Sequence, residues 1–341
     1  MNHLNVLYTS NNNYAQHSGV SICSLLENNR HIDNITIYYV YDNLTDDNLE
    51  KLKRQVHDYG ENREIRFING QEHIDKMKQM GVHGYRSSHA PNLRLFFDEY
   101  IDNSVERLLY LDSDTIVLGS LFPLLQLDFQ DKCAAVICDS IGSNYKRYIG
   151  FQEDQPYFNS GVILFHVDNW FKNNCKQSLL KYMNTPGMMH TSPDQDYLNL
   201  VLKDKLYILP PEYNLQPFHL VYKDSIYFSN YSKIYYSGKQ LDDARAKPVI
   251  VHTFRFLGQF PWHKNNLHPS KALYKKYLGL SEWAGSDEET NSKFIFSLER
   301  IIYRILPRRV FLKVFVTLQG IYFHYKERMT QKPVQEEYNK K

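Results

Sequence analysis

Leu109-Tyr110-Leu111 runs straight into Asp112-Ser113-Asp114. Two carboxylates at i and i+2 of an extended segment point to one side, where together they can hold a hard divalent cation. The triplet alone is a weak signal, because most D-x-D sequences are surface carboxylates in a strand-end turn. Its place in the chain strengthens it. It follows an apolar strand at the end of a strand–helix series, and open α/β sheets bind ligands beyond the carboxyl ends of their strands.

The elements that must position the triplet alternate over the first part of the chain. Asn5 to Thr9 reads as a strand ending in the polar cluster Ser10 to Asn13, with Val20 to Leu26 as a helix packed behind it. Ile35 to Tyr41, rich in β-branched and aromatic residues, is a second strand, and Thr45 then caps an amphipathic helix carrying Leu49, Leu52 and Val56. Ile65 to Ile68 gives a third strand. Residues 70–90 form a polar stretch, Asn92 to Ile101 a helix, and Arg107 to Tyr110 the strand that leads to Asp112. This alternation predicts an α/β fold with a mostly parallel central sheet covered on both faces. Later the rhythm loosens. Ala134 to Ile137 and Gly161 to Val167 are strand-like, Asn169 to Met183 is helical, Pro193 opens a helix with Asp194, Gln195 and Asp196 in its first turn, and Val249 to Thr253 is the last strong strand.

Composition bounds the rest. The 341 residues suit two domains or one large domain with an appendage. Hydrophobic residues at 43% and charged residues at 23% exclude collagen-like, wholly disordered and disulfide-scaffold classes. A formal net charge of +2 argues against nucleic acid as a partner. No apolar run approaches the roughly 18 residues of a membrane span, and the start MNHLNVLYTS lacks a basic-then-apolar signal segment, so a cytoplasmic location is expected. Cys23, Cys133, Cys138 and Cys175 fit neither C-x-x-C nor zinc-ribbon spacing and read as buried reduced thiols.

Six segments, in order, resemble the pattern of glycosyltransferase family 8, the retaining GT-A group that includes bacterial lipopolysaccharide galactosyl- and glucosyltransferases and glycogenin. They are Leu7 to Ala15 (LYTSNNNYA), Asn92 to Leu95 (NLRL), Leu109 to Thr115 (LYLDSDT), Tyr157 to Leu164 (YFNSGVIL), Ser192 to Asn199 (SPDQDYLN) and His252 to His263, ending Pro-Trp-His. The resemblance covers about Asn5 to His263 and implies a GT-A nucleotide-sugar-binding catalytic domain over residues 1–284, with a nucleotide-binding half at about 1–120 and an acceptor half at about 121–284, while the composition shift after the polar linker marks a tail at 285–341. It implies a retaining, metal-dependent transferase that moves a hexose from UDP-glucose or UDP-galactose to a glycan acceptor, lipid-linked acceptors among them.

The same resemblance assigns the site. Asp112, Asp114 and His252 hold the cation, and an imidazole beside two carboxylates favours Mn²⁺, with Mg²⁺ as the alternative. Such a cation is a Lewis acid for departure of the diphosphate. Thr9, Ser10, Asn11, Asn13, Arg94, Ser113, Ser160 and Gly258 complete the donor-binding set. Asn11 stands where related enzymes carry an acidic residue; its carbonyl can still accept the base N3–H, without charge assistance. Asp139, Asn159, Asp194 and Gln195 form the catalytic set that meets the sugar, and each could equally serve as a turn or N-cap residue. Gln195 falls where double displacement would want a carboxylate nucleophile. An amide is a poor nucleophile, so the expectation is front-face attack with Gln195 supporting charge on the ring. Asp194 and Asp196 stay open as nucleophiles.

One departure accompanies the match. Relatives carry His-x-x-Gly-x-x-Lys-Pro-Trp, whereas here Phe260 precedes Pro261 and the spacing is two residues longer. Arg255, His263 or Lys264 could supply the missing cation. A catalytically silent GT-A domain acting as binding partner of an active transferase is the alternative that Asn11 and Phe260 allow, and the intact Asp112, Asp114, His252 and Gln195 oppose it. A nucleotidylyltransferase would need a Gly- and basic-rich phosphate loop that this sequence lacks.

Beyond the polar linker Gly285 to Asn291, residues 300–328 hold seven basic residues (300, 304, 308, 309, 313, 326 and 328) against one acidic, Glu327. Ile295, Leu298, Ile302 and Ile305 form one apolar stripe, and Phe311, Val314, Phe315, Leu318 and Tyr322 another. This predicts a basic amphipathic helical appendage. Either it lies on an anionic membrane surface, making the protein peripheral at the inner face, or it docks on the catalytic domain or a dimer partner.

Overall fold

The computed structural model describes residues 2–85, 88–139, 145–146, 149–152, 154–185, 192–222, 235–290, 294–318, 320–322 and 325. Among these, the central sheet has seven strands in the order β3-β2-β1-β4-β7-β6-β8: β1 (His3–Asn11), β2 (Asn34–Asp42), β3 (Arg63–Asn69), β4 (Arg107–Leu111), β6 (Ala134–Cys138), β7 (Phe158–His166) and β8 (Leu206–Ile208). Only β7 runs against its neighbours, so the sheet is mostly parallel, as the strand–helix alternation predicts. A separate antiparallel ribbon joins β5 (Thr115–Val117) to β9 (Ile250–His252).

Strand alternation sends side chains to two cores, one on each face of the sheet. Val6 and Tyr8 of β1 and Ile35, Ile37 and Tyr39 of β2 enter the first core. Leu7, Tyr38 and Val40 enter the second. Helices α1 (Ala15–Asn28) and α2 (Asp46–His57) cover the first face, and Thr45 caps α2 by accepting from the Asn48 N–H at 3.4 Å. All four cysteines are free and buried.

The topology makes the crevice. After β1 the chain lays β2 and β3 to one side and then crosses to place β4 on the other, so the carboxyl ends of β1 and β4 flank a switch point. Asn11 ends β1 and Asp112 follows β4 directly. In the ribbon, Thr115 faces His252, which brings the distant histidine beside the D-x-D segment.

Several elements differ from the sequence reading. The polar stretch 70–90 contains a helix, α3 (Gln71–Gln79), anchored by the buried pair Ile74 and Met77. Ala90–Glu99 is a 3-10 helix rather than an α-helix, interrupted at Phe96. The single helix expected from Asn169 to Met183 is two, Val167–Lys172 and Cys175–Met183, broken where Asn174 takes a left-handed φ of 53°. The helices Gly238–Ala246, capped by the reciprocal Ser237 and Gln240 pair, and Lys271–Leu278 were not legible as periodic segments.

Helices at Phe294–Ile305 and 308–318 form the C-terminal appendage. Tyr303, Phe311 and Leu312 pack against Tyr222, Phe256 and Leu257 of the domain. Phe311, one residue of the second apolar stripe, is therefore a docking residue. Leu298, Ile302, Ile305, Val314 and Leu318 remain exposed, Ile305 at 73%. The appendage thus docks by one face and leaves an apolar stripe in water on another.

Candidate active site

Asp112, Asp114 and His252 converge beyond β4, with one ligand atom from each lying within 4.8 Å of the others. His252 Nε2 stands 3.1 Å from Asp114 Oδ1 and 3.6 Å from Asp112 Oδ2. The ring fits only because β7 passes it at Gly161, where an added Cβ would lie 2.1 Å from the ring and 2.8 Å from Asp112 Oδ2. Glycine inside a strand marks such a close backbone approach. Burial opposes charge on His252, yet Asp114 and then Asp112 more than offset it and raise its pKa. Burial likewise works against the Asp114 carboxylate, and His252 outweighs it and lowers its pKa. Two carboxylates and one imidazole nitrogen aimed at a common point are a suitable donor set for a divalent cation of the Mn²⁺ type.

Arg94 locks one side of this cluster. It is 3% exposed, and its Nη2 donates to Asp112 Oδ1 at 2.7 Å. Nη1 donates to the Ser160 carbonyl at 2.7 Å, Nε to the Pro91 carbonyl at 2.8 Å, and Asp194 Oδ2 lies 3.3 Å from Nε. Burial disfavours the guanidinium charge, but Asp112, Tyr110 and Asp194 raise its pKa well above the usual range. Asp194 is pushed up by burial, against the pull of Arg94. The Tyr110 hydroxyl donates to Asp112 Oδ1 at 2.7 Å and meets Thr9 Oγ1 at 3.1 Å.

The residues expected to meet the nucleotide gather at the end of β1. Ser18 Oγ bridges Ser10 Oγ at 3.0 Å and Ser113 Oγ at 2.8 Å. Asn11 Oδ1 accepts the Tyr14 N–H at 3.2 Å and its amide donates to Ser88, so Asn11 caps the turn that follows β1. Asn13 is exposed on that turn.

The residues expected to meet the sugar form a second group on β7 and the helix Pro193–Leu202. Gln195 Oε1 accepts the Ser160 N–H at 2.9 Å, while its amide donates to Asp139 Oδ2 at 3.2 Å and the Tyr157 hydroxyl at 3.1 Å. Asn159 donates to the same Asp139 oxygen at 3.3 Å. Ser160 Oγ donates to Asp194 Oδ2 at 3.2 Å. Asp196 is buried, with one oxygen 2.6 Å from the Tyr157 hydroxyl and both oxygens in reach of the Tyr145 hydroxyl.

The loop after His252 carries the departure in spacing. Gly258 takes φ +70°, and the Phe296 ring of the appendage occupies the place of its Cβ at 2.0 Å. Of the three cations considered for the absent lysine, Arg255 lies over the Phe260 and Phe296 rings at 5.2 Å and 5.6 Å. His263 is buried and accepts the Phe260 N–H, whereas Lys264 is exposed. Sequence reasoning missed Tyr110, Tyr157, Gly161 and Asn214. For Gly161 the signal was a glycine within a strand; for the others only three-dimensional proximity reveals the role.

The sheet order, the crevice at its switch point and the Asp112, Asp114 and His252 cluster agree with the GT-A fold that the sequence motifs imply. The chain belongs to glycosyl transferase family 8, whose profile matches residues 5–266. It is similar to the lipopolysaccharide 1,2-glucosyltransferase of Escherichia coli K12, at 28% identity over 91% of this chain and 87% of that protein. It is also similar to general stress protein A of Bacillus subtilis, at 26% identity over 82% of this chain and 94% of that protein. Among solved structures, galactosyltransferase LgtC in complex with donor and acceptor sugar analogs shares the fold with a TM-score of 0.65 and 20% identity, over 82% of this chain and 96% of that one.

Proposed function

We propose that this chain is a retaining hexosyltransferase that moves glucose or galactose from a UDP-sugar to a glycan acceptor, with Mn²⁺ held by Asp112, Asp114 and His252. The observation that carries the reading is the convergence of these three side chains within 4.8 Å in the switch-point crevice. A bound cation would supply Lewis-acid neutralisation of the departing diphosphate. Arg94 fixes the Asp112 carboxylate for that purpose. Thr9, Ser10, Asn11, Asn13 and Ser113 serve the nucleotide, and Ser160 and Gly258 the donor's phosphate and sugar side.

Gln195, Asp139, Asn159 and Asp194 serve the sugar. The Gln195 amide is oriented at both ends by its bonds to Ser160, Asp139 and Tyr157, which supports a role in stabilising charge at the anomeric centre during front-face attack. The occupation of Asp196 by two tyrosine hydroxyls argues against it as a nucleophile. The names of the two transferases above support a hexose donor.

For the chain's organisation we propose a catalytic unit at 1–284 and a tail at 285–341 that attaches it to an anionic membrane surface on the cytoplasmic side, near a lipid-linked acceptor. The exposed Leu298, Ile305 and Leu318, with Arg304, Arg309 and Lys313 exposed beside them, support that attachment. No helix among the described residues is long and apolar enough to cross a membrane. The test of the activity is UDP release from a panel of UDP-sugars, with Mn²⁺ and with EDTA. Release from UDP-glucose or UDP-galactose that EDTA abolishes is expected; no release from any donor would leave a silent binding domain.

A further inference from the structure

We propose that Asn214 is a positioning residue of the cation site, which sets the tautomer of His252 so that Nε2 offers its lone pair toward Asp112 and Asp114. The proposal rests on the reading of those three residues as cation ligands. Asn214 ends the 3-10 turn Pro211–Asn214 and is fully buried. Its Oδ1 lies 3.1 Å from His252 Nδ1, and its Nδ2 donates to Asn159 Oδ1 at 2.9 Å.

The direction of this relay is fixed by a backbone group. The Gly161 N–H can only donate, and it donates to Asn159 Oδ1 at 3.0 Å. Asn159 therefore turns its carbonyl toward Gly161 and Asn214 and its amide toward Asp139, whose carboxylate oxygen accepts it at 3.3 Å. Facing a carbonyl oxygen, Asn214 must present its NH₂ there and its own Oδ1 to the ring. The ring must then carry its hydrogen on Nδ1, which leaves Nε2 as the ligand atom. Main-chain bonds hold the amide in place: the Leu215 N–H donates to the Ile250 carbonyl at 2.8 Å, and the His252 N–H to the Leu215 carbonyl at 3.1 Å. A buried ring N–H without this acceptor would be left unsatisfied. The same relay joins the cation ligands to Asn159 and Asp139 on the sugar side, so both groups share one hydrogen-bond polarity.

The test uses the full chain with Mn²⁺ alone as probe, free Mn²⁺ being read by electron paramagnetic resonance without donor. Removing an outer partner of a metal-ligating histidine lowers affinity by about 10–100-fold, and Asn214→Leu is expected to fall in that range. Asn159→Ala, which frees the Asn214 amide to turn over, should weaken Mn²⁺ binding in the same direction. In a His252→Ala background Asn214→Leu should add nothing, because the two act as one unit. The nitrogen modulation that a ring nitrogen imposes on the bound Mn²⁺ spin echo should weaken in Asn214→Leu. A folded Asn214→Leu that binds Mn²⁺ like wild type overturns the proposal, as does an equal loss in the His252→Ala background. If Asn214→Leu does not fold, an unchanged affinity in Asn159→Ala overturns it instead. Wild type that binds no Mn²⁺ refutes the cation site itself, an outcome distinct from a variant that binds normally.

Discussion

Arg94→Met should be one of the most destabilising single substitutions in the chain that leaves side-chain bulk almost unchanged. The guanidinium is 3% exposed and makes bonds to the Ser160 and Pro91 carbonyls, Ser160 Oγ and Asp112, with Asp194 at 3.3 Å and the Tyr110 ring centre at 4.2 Å. Methionine keeps the apolar stem and removes every donor. Asp194 would then keep the Ser160 hydroxyl, and Asp112 the Tyr110 hydroxyl and the His252 ring at 3.6 Å, while both lose the buried guanidinium. Breaking a buried ion pair from one side costs about 3–5 kcal/mol, because the remaining charge is left uncompensated. At roughly 2–4 °C per kcal/mol for a large domain, the melting temperature should drop by about 10 °C. Urea unfolding followed by tryptophan fluorescence measures this directly. Arg94→Met with Asp194→Asn should recover part of the loss, since the pair is coupled. A loss below about 1 kcal/mol would show that Arg94 is not the counter-charge of this cluster, against what the surface-pair magnitude separates from a buried one.

Three further outcomes are expected. His268 and His219 are held neutral by burial with pKa values of about 4, against 6.5 unfolded, so the unfolded chain takes up protons first as pH falls. Stability should therefore be full above pH 6.5 and decline toward pH 4, by roughly 3 kcal/mol for each ring, in urea titrations across that window; a flat profile would contradict the buried-neutral assignment. Gln195→Ala should lower kcat more than it raises KM, with no glycosylated peptide containing Asp194 or Asp196 detectable by mass spectrometry. Full-length protein should sediment with anionic liposomes at low salt and be released as salt rises, whereas Leu298→Glu with Ile305→Glu should stay in solution while hydrolysing donor normally; binding indifferent to salt and to these substitutions would remove the membrane assignment.

Much of this was written locally in the sequence. The strand β1, the apolar run before Asp112 and the capped helix after Thr45 follow from side-chain period and capping chemistry, which are short-range signals. The D-x-D triplet and its partner His252 lie far apart in sequence, and the family motifs rather than spacing brought them together. What remained illegible depends on contacts across the fold. Asn214 sits in a short turn with no pattern of its own, and its role exists only because Leu215 bridges to β9. The Lys271–Leu278 helix is stabilised by Tyr274 and Tyr277 packing on α1 rather than by propensity, and Tyr274 bonds His17 at 2.7 Å. The tail's two readings were open because an amphipathic helix has one apolar stripe in sequence, while this pair uses Phe311 and Leu312 to dock and Leu298 and Ile305 to face water.

The central claim is that Asp112, Asp114 and His252 hold the cation that meets a nucleotide diphosphate. The most direct test is anomalous scattering at the manganese edge from crystals grown with UDP and Mn²⁺. A single strong peak bonded to one oxygen of each aspartate, to His252 Nε2 and to the diphosphate is the predicted result. UDP bound in the crevice with no peak among these three side chains, or with the peak elsewhere, would contradict it.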